Sequence, residues 1–158
     1  MKYKNIAQLF LFIFLVEIIG SLGTLATTPN IPLWYNYLVK PPLNPPNWVF
    51  GPVWTTLFAL MGTSLFIIWK KGIKKKVVKK ALTVFTIQLG INVLWSFLFF
   101  GLKSPYLGLI CIGALWIFII LTIRDFIHIH KIAGILLIPY LLWVSLAMYL
   151  NAGIVLLN

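Results

Sequence analysis

Acidic side chains are almost missing from this chain: Glu17 and Asp125 are the only two in 158 residues. Charged residues of either sign make up 9% of the sequence, where soluble globular proteins carry about 25%. So few charges cannot cover a water-facing surface, which excludes an ordinary soluble fold. A single cysteine, Cys111, excludes an intramolecular disulfide and a thiolate metal cluster. The two histidines, His128 and His130, stand two apart, off any shared helical face, and no carboxylate cluster lies near them. No metal site is therefore expected. A Ser/His/Asp set, a Walker loop and a dinucleotide fingerprint are all absent. So are low-complexity tails, internal repeats and the period-two alternation of barrel strands.

Apolar residues are what is there in quantity, at 61% of the chain with a mean hydropathy of +1.02. A membrane-spanning helix needs about 20 mostly apolar residues. Five stretches qualify, at about Ile6–Ala26, Val49–Trp69, Ala81–Phe100, Tyr106–Ile123 and Ile132–Leu156. The expected fold is an all-α membrane protein, one domain over residues 1–158 built as a bundle of five transmembrane helices. The N-terminal run resembles a secretory signal, but it is too long for one and Glu17 interrupts it, so it reads as the first span. Its solvent is the lipid bilayer.

The thirteen basic residues are unevenly placed, seven of them between Lys70 and Lys80. That run lacks the interleaved aromatics that stack bases, so no nucleic acid is expected as a partner. It reads instead as a cytoplasmic loop against anionic headgroups. Lys2, Lys4, the Lys70–Lys80 run, Arg124 and Lys131 fall on one side of a five-span topology, whereas only Lys40 and Lys103 fall on the other. The bias puts the N-terminus inside and the C-terminus outside.

Six of the nine prolines lie in the first connection, Thr27–Trp48, together with Trp34, Tyr35, Tyr37 and Trp48. Proline fixes φ and reduces the entropy lost on ordering. Two readings fit: a stiff lid over a helix mouth, or an aromatic belt at the membrane interface. Within the spans, Gln88, Asn92, Trp95, Ser96 and Phe99 share one helical face, as do Trp54, Phe58, Met61 and Leu65. Tyr140, Trp143, Ala147 and Asn151 share another, just after Pro139, which should bend its helix. Three such faces suit either a cavity for a flat apolar ligand or plain helix packing with amide hydrogen bonds. Gly20 and Gly23, with Gly108, Cys111 and Ala114, allow close backbone approach inside the bundle or across a homodimer seam. Glu17 is the one acid expected inside the membrane, where it is a proton or cation site or else is simply protonated or paired with a neighbouring helix. Arg124 and Asp125 read as a solvated loop pair.

Three separated motifs carry a family resemblance. The run from Trp34 through Lys40, Pro45 and Trp48 to Pro52 and Trp54 resembles the signature of the translocator protein family, the tryptophan-rich sensory proteins or peripheral-type benzodiazepine receptors. The Gln88–Ser96 run resembles its third-helix motif, and Pro139–Ala147 with Leu150 and Asn151 its fifth. The match spans nearly the whole chain in order. The resemblance implies a five-helix, often homodimeric bundle that binds tetrapyrroles such as protoporphyrin IX, and isoquinoline-carboxamide or benzodiazepine ligands. It implies a pocket at Tyr35, Pro45, Trp54, Phe58, Asn92, Trp95, Ser96, Trp143 and Ala147, with the proline-rich connection as its lid. No cofactor is required, the porphyrin being a ligand. Animal members carry Tyr followed closely by a basic residue near the end of the last helix; here nothing basic follows Tyr149, which weakens a steroid-transport reading. Without a transit peptide, a bacterial inner membrane is expected.

A receptor for porphyrin-like molecules is the leading expectation, with the rings between Trp54, Trp95 and Trp143, amide contacts from Asn92 and Ser96, and Lys40 facing the propionates. A porphyrin held against Trp54 and Trp143 could be degraded slowly with light and oxygen, the two indoles acting as redox partners. A transporter using Glu17 is the second reading, although no inverted repeat supports it. A membrane scaffold with the small residues as its interface is the third.

Overall fold

The computed structural model describes residues 2–158, all helices, turns and short connections. Helix α1 (Lys2–Ser21) passes through a tightened turn into α2 (Thr24–Leu33), and a short 3₁₀ turn follows at Tyr35–Tyr37. Helices α3 (Asn47–Trp69), α4 (Lys76–Ser96) and α5 (Pro105–Ile129) come next, then α6 (Lys131–Ile135) and α7 (Ile138–Leu157). Among the described residues, five helical stretches are long and apolar enough to cross a membrane: Tyr3–Ser21, Asn47–Trp69, Lys76–Gly101, Pro105–Ile129 and Lys131–Leu157. The expected five-span, all-helical membrane fold is what the chain adopts.

Packing runs mainly through α1 against α3, α4 against α5, and α5 against α7. Side chains that contact one another here are those with the least exposure: Val16, Met61, Ile68, Phe85, Ile119, Phe126, Leu137 and Tyr140. The α1–α3 seam depends on Gly62, because a Cβ there would stand 2.5 Å from the Cα of Ile13. A backbone cannot yield as a side chain can, so only glycine allows this approach. Buried polar groups pair across helices. Ser64 Oγ donates to the carbonyl of Ala133 (2.6 Å), tying α3 to α6, and Trp116 Nε1 donates to Ser145 Oγ (2.9 Å), tying α5 to α7.

Four boundaries differ from the sequence reading, each for a local reason. The connection expected at 27–48 is helical over its first part, since α2 runs to Leu33 through Pro29 and Pro32. Local side-chain bonds brace this helix: Asn30 Nδ2 donates to the carbonyl of Ala26 (2.9 Å) and Thr27 Oγ1 to that of Gly23 (3.0 Å). The span expected to stop at Ile123 continues to Ile129, so Arg124 and Asp125 sit on a helix rather than in a loop. There Asp125 accepts from Arg124 (2.9 Å) and faces Lys80 (3.8 Å), clamping α5 to α4. Part of the lysine-rich run is likewise helical, because α4 starts at Lys76. Pro139 does not bend the middle of a span; it stands in the first turn of α7, where its missing N–H breaks no ladder bond, and the interruption falls at Leu136–Leu137.

Candidate functional site

Four membrane-crossing segments leave a cavity of about 320 Å³ between them. Its wall is assembled from α1 and α2, from α3, from the end of α4 with the wide π-turn at Phe97–Gly101, and from α7. The volume lies within the range of ligand pockets, about 300–1,000 Å³.

The aromatic part of the wall follows from helical spacing. Trp54 and Phe58, one turn apart on α3, stack with centroids 5.3 Å apart. Trp95 stacks on Phe99 at 5.2 Å, and Phe99 meets Phe100 edge-on at 4.8 Å. The π-turn adds a residue to the helical repeat and so turns both phenylalanines inward, where they are buried. Glycines make room for these rings: Phe58 lies on Gly20 of α1, and Phe99 comes within 2.7 Å of where a Gly108 Cβ would stand.

Polar side chains line the cavity as well, and most are held by hydrogen bonds. Asn92 Nδ2 donates to the Tyr140 hydroxyl (3.1 Å), leaving its carbonyl oxygen without a partner from the described residues. Trp95 Nε1 donates to Asn151 Oδ1 (3.2 Å), and Asn151 Nδ2 donates to the carbonyl of Pro105 (2.8 Å). This relay joins α4, α7 and the start of α5 at the cavity wall. Gly23 lets Ser96 approach the α1–α2 turn, its Oγ 2.6 Å from the position a Cβ would take.

The proline-rich segment closes one end. Tyr35 is buried, lines the cavity, and donates its hydroxyl to Asn44 Oδ1 (2.8 Å). Burial pushes the Tyr35 phenol above its ordinary value, and the hydrogen bond to Asn44 pulls it partly back. Lys40 Nζ sits 4.8 Å from the centre of the Tyr35 ring and donates to the carbonyls of Leu38 (3.2 Å) and Asn36 (3.4 Å). Lys40 is not part of the cavity wall. The segment is fastened to α7 twice. Asn158 exchanges two 3.0 Å hydrogen bonds with the backbone of Val39, and Pro41 packs on Gly153, where a Cβ would meet its ring at 2.5 Å.

Of the residues expected in a pocket, Tyr35, Trp54, Phe58, Asn92, Trp95, Ser96 and Ala147 line this cavity together. Pro45 and Trp143 do not. Pro45 sits beside Asn44, whose amide donates to its carbonyl (3.2 Å), and the Trp143 ring stands edge-on to Phe50 at 5.7 Å. Phe50 rather than Trp143 forms that part of the wall. The sequence reading missed Phe50, Phe100 and a row of small polar residues, Ser21, Thr24 and Thr28, on the α1–α2 face. Their spacing of three and four residues was visible, but Thr28 lay in a stretch read as a loop. Glu17 also reaches this cavity. Among the described residues no group of three or more His, Cys, Asp or Glu could hold a metal ion.

The comparisons with known proteins agree with this architecture. Residues 12–157 match the TspO/MBR family. The chain is 47% identical over 155 residues to "Tryptophan-rich protein TspO" of Chlorobaculum tepidum (strain ATCC 49652 / DSM 12025 / NBRC 103806 / TLS), covering 98% of each chain. It is also 47% identical to the protein of the same name from Archaeoglobus fulgidus (strain ATCC 49558 / DSM 4304 / JCM 9628 / NBRC 100126 / VC-16), over 98% of this chain and 99% of the other. Identity to the Homo sapiens "Translocator protein" is 35% over 120 residues, covering 75% of this chain and 70% of that one. A match over nearly the full length, on a five-span helical frame with an aromatic cavity inside it, means that this chain is a membrane protein belonging to the TspO/MBR family.

Proposed function

We propose that this protein is a membrane receptor for flat, apolar ligands of the tetrapyrrole type, protoporphyrin IX being the reference ligand. Isoquinoline-carboxamide and benzodiazepine compounds occupy the same cavity. One observation carries the reading: seven of the pocket residues named from sequence border a single cavity of about 320 Å³, with two stacked aromatic pairs on its wall. Indole and phenyl faces stack on a planar macrocycle, and each such contact contributes about 0.5–1.5 kcal/mol beyond area burial. The free oxygen of Asn92 and the hydroxyl of Ser96 orient polar edges of the ligand. The proline-rich segment serves as a lid, held shut by Asn158 and Gly153. Lys40 meets the propionates only if it leaves its two carbonyl partners, so it acts at the rim and not inside.

The protein works as a homodimer in a bacterial plasma membrane, with its N-terminus inside. Light- and oxygen-dependent breakdown of bound porphyrin is a side activity centred on Trp54, since Phe50 stands between the cavity and Trp143. A titration of the purified protein with protoporphyrin IX, read by quenching of tryptophan fluorescence, tests the receptor reading. Saturable quenching is expected, weakened by Trp95→Ala and by Asn92→Ala. Quenching that never saturates, or that both substitutions leave unchanged, refutes it. Flux of the same ligand into sealed proteoliposomes would point to a translocating role, which the Glu17 carboxyl on the cavity wall allows.

A further inference from the structure

We propose that Glu17 makes this cavity a site for flat organic cations, whose protonated nitrogen pairs with the carboxylate while the ring stacks on the aromatic wall. The inference rests on the ligand-binding reading of the cavity and names a ligand class within it.

Among the described residues, Glu17 is the only formally charged one on the wall, and no lysine or arginine borders the cavity. Among the described residues, both ion pairs use Asp125 and no hydrogen bond involves a Glu17 carboxyl oxygen. Helix α1 fixes where it points. Glu17, Gly20, Ser21, Thr24 and Thr28 follow one another at helical spacing, and all five face the cavity. The hydroxyls of Ser21 and Thr24 are spent on the carbonyls of Ile18 (2.9 Å) and Ser21 (2.6 Å), so neither satisfies the carboxyl. Three residues along from Glu17, Gly20 carries the Phe58 ring, which in turn stacks on Trp54. A carboxylate and aromatic rings on one cavity wall are how proteins hold organic ammonium groups, the ring quadrupole and the anion attracting the same charge.

The surroundings decide which sign of ligand gains. Glu17 is half-buried and lies within the first membrane-spanning stretch, where an unpaired carboxylate is costly, and an entering cation relieves that cost as it binds. An anionic group brought to the same place meets repulsion in a weakly screening medium. Negative ligand substituents must therefore sit at the lid end, and positive ones at α1.

The test uses two probes of equal shape, 1-naphthylmethylammonium and 1-naphthalenemethanol, titrated calorimetrically into the full chain in nanodiscs of zwitterionic phosphatidylcholine. The ammonium probe should bind at least about tenfold more tightly than the alcohol, and Glu17→Gln should erase that difference. An unchanged thermal unfolding midpoint shows that the variant is folded. In the parental protein, the ammonium probe should protect Glu17 from modification by dicyclohexylcarbodiimide, read by mass spectrometry, and the alcohol should not. Equal affinities for the two probes, an ammonium preference that survives Glu17→Gln, or carbodiimide labelling unaffected by the ammonium probe would each overturn the proposal. Porphyrin quenching without ammonium preference sinks this inference and leaves the receptor reading standing. Ammonium preference without porphyrin quenching does the reverse.

Discussion

Asn151 offers the sharpest check on how the site is held together. Its side chain is 1% exposed and spans three elements, accepting from Trp95 Nε1 at 3.2 Å and donating to the carbonyl of Pro105 at 2.8 Å. Asn151→Ala removes both bonds and leaves the Trp95 indole N–H and the Pro105 carbonyl without these partners. Side-chain hydrogen bonds between membrane helices contribute about 0.6 kcal/mol on average and up to about 1.7 kcal/mol. Two of them give about 1–3 kcal/mol, and the small void left by truncation adds to the upper end. For a chain of this length that is a fall of about 3–10 °C in Tm, measured by thermal unfolding in detergent. A double-mutant cycle with Trp95→Phe isolates the first bond. Coupling of about 0.5 kcal/mol or more is expected between the two positions. Porphyrin affinity should fall with stability, because an indole freed from Asn151 no longer presents a fixed face to the ligand. The reasoning fails if Asn151→Ala melts within a degree of the parent, or if the two substitutions are additive.

Three other outcomes follow from the same geometry. Gly62→Val places side-chain atoms against the backbone at Ile13 and should destabilise the α1–α3 seam by about 1–3 kcal/mol, seen as a lower Tm and as faster proteolysis of α1. Tyr35 is held neutral by burial, so its folded pKa lies above the unfolded one. The stability it contributes is fully present below its unfolded value and is lost as pH rises through the folded value. Thermal unfolding scanned across the alkaline range should show this loss, and Tyr35→Phe should remove that part of the pH dependence. Under illumination with oxygen, Trp54→Phe should slow the loss of bound protoporphyrin absorbance several-fold, while Trp143→Phe has a smaller effect because Phe50 lies in front of it. Equal slowing by the two substitutions would contradict the assigned wall.

Hydropathy alone settled the membrane, the five spans and the helical class. A chain with 9% charge and apolar runs of this length has no other way to satisfy its backbone in lipid than helix or closed barrel, and the barrel lacks its alternation. Periodicity also put Trp54 with Phe58, and Asn92 with Trp95 and Ser96, on common faces, because spacing along one helix is a local property. Boundaries were less legible: α2 passes through Pro29 and Pro32, where proline usually signals a break, and α5 runs on through the charged pair Arg124 and Asp125, which packs towards Lys80 of α4.

What only the tertiary structure decided was which faces meet. The Trp143 and Ala147 positions belong to one stripe of α7 by sequence, yet Ala147 borders the cavity and Trp143 does not, because Phe50 of α3 comes between. Glu17 could have faced lipid, a neighbouring helix or the interior with the same sequence around it; the approach of α3 at Gly62 and of Phe58 at Gly20 turns α1 so that the carboxyl lines the cavity. A sequence fixes the angle between residues on one helix, but the rotation of that helix about its axis is set by close contacts with segments distant in the chain.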